Sequence, residues 1–193
     1  MKADGIGNRI YSDIVASTHQ SKFTKNIGTT SVSQFSNNKT ASDLSAGIER
    51  ADQIAVTVGR KLEVMVNLLD QLGSEKSDIV REQLARFFNI VRAFIQEALH
   101  PTGDWSTDRI MSGKSVNVNL GGNEAAFAVK GERITRGSLE IHELSKSPNS
   151  DDMQAMMQNV EKAQTSVKKL RSNLASARAQ IAHHSRGSSG ITL

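Results

Sequence analysis

Few residues in this chain have the types and spacing that chemistry demands. Gly113, Lys114 and Ser115 have the form of a phosphate-loop ending. Such a loop needs a glycine five places before Gly113, where Asp108 stands, and a helix after it. Alternating residues follow instead, so the tripeptide reads as a loop entering a hairpin. Gly121 and Gly122 are not followed by Lys-Ser or Lys-Thr either. His183 and His184 are adjacent, and helix neighbours do not face each other, so the pair reads as positive charge at a helix end. His19, His100 and His142 stand apart from any Asp or Glu at ligand spacing. There is no cysteine, which removes disulfides, thiolate chemistry and Cys-based zinc sites. No Ser, His and Asp order stands out, and no carboxylate pair marks a pocket. The expectation is a protein without catalysis, cofactor or metal.

What the chain does have is period. Apolar steps alternate by four and three through Leu44, Ile48, Ala51, Ala55, Val58, Leu62, Met65, Leu69 and Leu72. The same rhythm runs through Met153, Met156, Val160, Ala163, Val167, Leu170, Leu174, Ala177 and Ile181. That spacing winds apolar side chains into one narrow stripe and favours helices that supercoil on each other. Leu62, Leu69, Val167, Leu170 and Leu174 are the expected packing residues.

The first seam predicts a helix over 43–72, with Ser42 as N-cap and Gly73 as a left-handed stop. Gly47 and Gly59 sit off the seam, either as tolerated defects or where another backbone comes close. A second helix over 75–99 is capped by Ser74 and bounded by Pro101. It carries Val80, Leu84, Phe87, Val91, Phe94 and Ala98 as a seam, flanked by Ile79, Phe88, Ile95 and Leu99. So wide an apolar face predicts two neighbours, and the short link predicts an antiparallel pair.

The period then changes to two. Val116, Val118 and Leu120 alternate with asparagines, and Ala125, Phe127 and Val129 alternate again after Gly121, Gly122 and Asn123. This predicts a β-hairpin at about 115–130 with a glycine turn. Trp105 lies among polar residues and reads as a plug for the bundle end or an interaction spot. Residues 134–144 fit a short strand or a helical turn, and 146–150 is a connector. The last helix runs over 151–183, and 184–193 reads as a flexible tail. Residues 1–42 are mostly polar and read as a flexible arm, with Phe23, Ile27, Val32 and Phe35 scattered through it.

Composition agrees with helix seams more than with a broad pocket, since aromatics are only 4% of residues. The N-terminus lacks the apolar stretch of a secretory signal, and no run reaches the ~20 apolar residues of a membrane span. The net charge of +4 is gathered in part at Lys162, Lys168, Lys169, Arg171, Arg178 and Arg186, while Asp151 and Asp152 open the same helix. Acid first and base last complement the helix dipole and require no nucleic-acid partner.

The order of parts, helix, antiparallel helix, hairpin and long C-terminal helix, resembles the rod-forming core of bacterial flagellins and their hook–filament junction relatives. Residues 106–122 (STDRIMSGKSVNVNLGG) are similar to the stretch that enters the hairpin there, and residues 156–181 (MMQNVEKAQTSVKKLRSNLASARAQI) are similar to the C-terminal core helix. The resemblance covers 43–183 and implies a reduced or accessory member with short termini. It further implies export without a cleaved signal, location at the flagellum, and partners that are other copies, flagellin-like subunits or an export chaperone.

The expected fold is mainly α: an elongated antiparallel three-helix coiled-coil bundle with a small β-hairpin. The expected function is structural, self-assembling or incorporated in or near a flagellar filament. Phe23, Phe35, Val116, Val118, Phe127 and Val129 are candidate subunit contacts, because arms and loops outside a core are where such contacts lie. The alternative is a cytosolic coiled-coil adaptor or regulator of motility or export machinery. A third class, a nucleic-acid binder using the basic last helix, predicts binding that weakens steeply with salt.

Overall fold

The computed structural model describes residues 38–119 and 127–187. In chain order they form β1 (Asn38–Thr40), α1 (Ala41–Ser74), α2 (Asp78–Ala98), α3 (Trp105–Met111), β2 (Val116–Asn119), β3 (Phe127–Val129) and α4 (Ser150–Gly187). The protein is mainly helical, a bundle with a small hairpin. Most of the expected arm, the Gly121–Gly122–Asn123 turn and the last six residues lie outside the described residues. Of the arm, Asn38–Thr40 is a strand and the helix already begins at Ala41, ahead of Ser42.

The α1 seam is the wall on which the rest is built. All nine of its apolar residues, Leu44 through Leu72, are buried. α4 packs along α1 with Met156, Val160, Ala163, Val167, Leu170, Leu174 and Ala177, all of them buried as well. Asp52 of α1 pins the far end of this pair, accepting from Arg178 at 2.8 Å and Arg171 at 3.3 Å.

α2 packs on the same wall but turns a different face to it than its heptad period indicates. Ala85, Phe88 and Ile95 are buried, whereas Val80, Phe87 and Phe94 of the expected seam are exposed. Two apolar lines lie side by side on this helix; the flanking line turns inward at Phe88 and Ile95, while its first residue, Ile79, stays 74% exposed. Gly73 also departs from expectation: α1 continues through it to Ser74, and among the described residues the positive-φ glycines are Gly103 and Gly113. The N-cap of α2 is Ser77 rather than Ser74. Glu75 turns back to accept from the amides of Lys76 and Ser77, both at 2.8 Å.

α4 packs chiefly on α1 rather than along both other helices. The side of α2 nearest it is occupied by residues 133–148, which form neither strand nor helix. This strap buries Ile134, Leu139, Ile141 and Leu144. Several of its backbone groups are bonded by side chains from both sides, as buried irregular backbone requires. Asn89 of α2 donates to the Leu144 carbonyl at 2.8 Å and accepts from the Leu144 amide at 2.9 Å. Arg81 donates to the Pro148 carbonyl at 2.9 Å. From α4, Asn159 donates to the Glu140 carbonyl at 3.0 Å, where Glu140 holds a φ of 53°.

The sheet has the order β1-β2-β3. The hairpin pairs antiparallel with Val116 opposite Val129 and Val118 opposite Phe127. β1 adds a parallel strand on the other side of β2, with Lys39 opposite Val118. Polar residues and a lysine suit an edge position.

Two glycines are fixed by close approach. A Cβ on Gly47 would stand 2.7 Å from Ser106 Cβ at the start of α3. At Gly131 a Cβ would stand 2.5 Å from the carbonyls of Ile110 and Lys114, where the chain leaving β3 crosses the end of α3. Gly59 is different, since a Cβ there meets only Val167 Cγ1 at 3.5 Å, an ordinary contact. Gly47→Ala is therefore expected to lose about 1–3 kcal/mol by overpacking. Gly59→Ala is expected to be neutral or to gain up to about 1 kcal/mol from helix propensity. Urea titration of both variants checks the pair, and equal losses would contradict the packing described.

Candidate functional site

The residues that the heptads single out converge on one interface. Leu62 and Leu69 of α1 and Val167, Leu170 and Leu174 of α4 are all buried in one core cluster. Each large buried side chain of this kind contributes roughly 1.5–3 kcal/mol before entropy is subtracted. The arrangement is mechanical: it holds two long helices side by side.

The hairpin turns one face into that core, with Asn117 and Ala128 exposed on the other. Val116, Val118 and Val129 are buried within the chain's own core, and Phe127 packs partly buried against it. Three of the four described contact candidates therefore have no side-chain surface to present. Phe23 and Phe35 lie outside the described residues.

Apolar surface appears elsewhere. On α2, Phe87 is 55% and Phe94 56% exposed, with Val80 and Ile90 exposed beside them. Val64 of α1 is exposed too, and Lys61 Nζ lies 5.1 Å from the Phe94 ring centroid. The sequence showed Val80, Phe87 and Phe94 as part of a seam, and only the tertiary arrangement shows that these three are left exposed.

α3 escaped the sequence reading because seven residues with one capping aspartate give a weak period. Asp104 is its N-cap, and its carboxylate accepts from the Thr107 amide at 2.7 Å. That bond is the main reason its carboxyl titrates below the usual range. Partial burial opposes the shift, while the Thr107 hydroxyl, the nearby Arg50 charge and the Ser106 amide reinforce it. Asp108 gathers the preceding loop, accepting from the Thr102 amide and hydroxyl at 2.8 and 2.9 Å and from the Gly103 amide at 3.2 Å. Thr107 is buried and donates to the Gly47 carbonyl at 3.2 Å. Trp105 opens α3 at 41% exposure with the Arg109 guanidinium 5.3 Å from its ring centroid.

A cavity of about 310 Å³ lies between the end of α2 and the strap, lined by Ile54, Leu99, Met111 and Ile134 with Asp108 and Arg136 at its polar edge. Both charged groups are engaged: Asp108 by the loop, and Arg136 by the Gln96 carbonyl at 2.6 Å and Glu97 at 3.8 Å. Among the described residues, no group of three His, Cys, Asp or Glu is placed to hold a metal ion. No described helix is long and apolar enough to cross a membrane. On α4, Lys169 pairs with Glu132 at 2.7 Å, and Arg171 and Arg178 share Asp52. Three of the five basic residues named on this helix whose side chains are described thus meet acids of their own chain.

No protein-family model matches the sequence, and no curated protein matches it. Among solved structures, the fold is similar to the crystal structure of Bacillus cereus flagellin, with a TM-score of 0.58 and 14% sequence identity. The likeness covers 79% of this chain and 88% of that one. At that identity it is a likeness of fold.

Two measurements test the geometry. Leu170→Asp places a charge in a fully buried seam position and is expected to unfold the protein, whereas Lys169→Glu, exposed and one residue away, is expected to cost no more than about 1 kcal/mol. An unchanged melting temperature for Leu170→Asp would contradict the seam. Asp104→Ala is expected to cost about 1 kcal/mol at neutral pH through loss of the cap. Because the folded carboxyl titrates low, its contribution is full above the unfolded value of about 3.9. It fades as pH falls through the folded value. The gap between wild type and Asp104→Ala should accordingly narrow in strong acid. Chemical denaturation at both pH values reads it, and a gap that widens in acid would contradict the assignment.

Proposed function

We propose that this chain is a flagellin-like structural protein, self-assembling or incorporated in or near a bacterial flagellar filament, with no catalytic role. The observation that carries the proposal is the order of α1, α2, hairpin and α4 around one buried heptad seam, in a fold similar to that of Bacillus cereus flagellin. The seam buries nine apolar residues of α1 and seven of α4 in one core that holds helices together. This suits a load-bearing rod better than a solvent-exposed reaction site. The partners in this reading are other copies of the chain or flagellin-like subunits, with an export chaperone as a further partner. The protein acts outside the cell, at the flagellum.

Immunogold electron microscopy on intact cells tests it. Label along or at the base of surface filaments is expected. Label confined to the cytoplasm of well-flagellated cells would overturn the reading in favour of a cytosolic adaptor of motility or export machinery.

A further inference from the structure

α2 carries two apolar lines, and its own chain buries Phe88 and Ile95 of one while leaving that line's Ile79 74% exposed. The other, Val80, Leu84, Phe87, Val91, Phe94 and Ala98, keeps the alternation of four and three that a partner helix reads. It grades from half-buried at Leu84, Val91 and Ala98 to exposed at Val80, Phe87 and Phe94. The strap occupies the opposite flank of α2, through Asn89 and Arg92, and leaves this flank open. With Ile90 and Val64, the open apolar surface amounts to roughly 500 Å², within the range of functional patches on monomers.

We propose that this face is an interaction surface for a second copy of the same chain, with α2 packing antiparallel on α2 about a two-fold axis that passes between Phe87 and Val91, at the level of position 89 along the helix. The pairing closes on three counts. A two-fold at position 89 sets Val80 against the partner's Ala98, Leu84 against the partner's Phe94, and Phe87 against the partner's Val91. Each layer then joins a larger side chain to a smaller one, which lets the layers interdigitate.

The polar edge of the seam also matches itself. Gln83 falls opposite the partner's Glu97, and Ile90 falls opposite its own mate, so no like charges meet along that edge. A parallel pairing would instead stack Phe87 on Phe87 and Phe94 on Phe94.

The area is consistent with a pair rather than a permanent complex. About 500 Å² from each copy gives a total near 1,000 Å², at the lower bound for a specific interface. An isologous pair closes on itself. It is therefore a distinct contact from any head-to-tail contact of a filament, and it stands or falls independently of the flagellar reading.

The absence of cysteine from the chain makes the test clean. Single variants Ile90→Cys and Val80→Cys replace exposed residues, and circular dichroism checks that each stays folded. With a short bismaleimide, Ile90→Cys is expected to cross-link into dimers, because the two positions lie about 3 Å apart along the axis. Val80→Cys is expected not to cross-link, since its two copies are about 27 Å apart. In sedimentation equilibrium, Phe87→Glu should weaken dimerisation of the full chain at least tenfold without altering its helical content. Cross-linking of Val80→Cys as efficient as that of Ile90→Cys would overturn the antiparallel pair. So would a chain that remains monomeric at high concentration, or dimerisation indifferent to Phe87→Glu.

Discussion

Burial of the α1 seam is the constraint on which the rest of the structure depends. Nine apolar residues from Leu44 to Leu72 lie on one stripe, and every one is buried. No single neighbour covers a stripe of that length. α4 takes one side, α2 the other, and α3 closes the end near Gly47, where only a hydrogen fits beneath Ser106. The small residues Ala51 and Ala55 keep the α1 surface low, so that neighbouring helices approach closely along its first half.

The strap resolves a problem that this arrangement creates. α2 and α4 both lean on α1, and the gap between them must be filled without leaving buried polar backbone. Ile134, Leu139, Ile141 and Leu144 supply the apolar filling, and Asn89, Arg81 and Asn159 satisfy the carbonyls and amide that come with it. The consequence for function is that the chain's large apolar side chains are spent on cohesion between long elements. Among the described residues, most of the large apolar side chains left exposed lie along α2, with Val64 of α1 and Trp105 of α3 besides.

Much of this was legible in the sequence, and what was not had a physical reason. A heptad repeat is local and dense, so the α1 and α4 seams could be read directly from it. The hairpin was legible because Val116, Val118, Phe127 and Val129 alternate cleanly. Which face of α2 turns inward was not legible, because Phe87 and Phe88 are adjacent and both lines are apolar. The choice is made by α1 and the strap, not by α2. The strap had no period to reveal it, since its burial is decided by its neighbours. β1 is three polar residues whose pairing with β2 exists only in the folded chain. The hairpin valines were legible as a strand but misjudged as surface, because alternation shows that one face is buried without showing against what.

Native-state hydrogen exchange read by mass spectrometry tests the central claim most directly, that α1 is the shared wall. If it is, amides of α1 between Leu44 and Leu72 and of α4 between Met156 and Ala177 should open together in one global event and be the slowest in the protein. The strap at 133–148 should open earlier. Exchange of α4 at fast, independent rates while α1 and α2 stay protected would contradict the account, since it would mean that the helical pair stands without the seam partner the structure gives it.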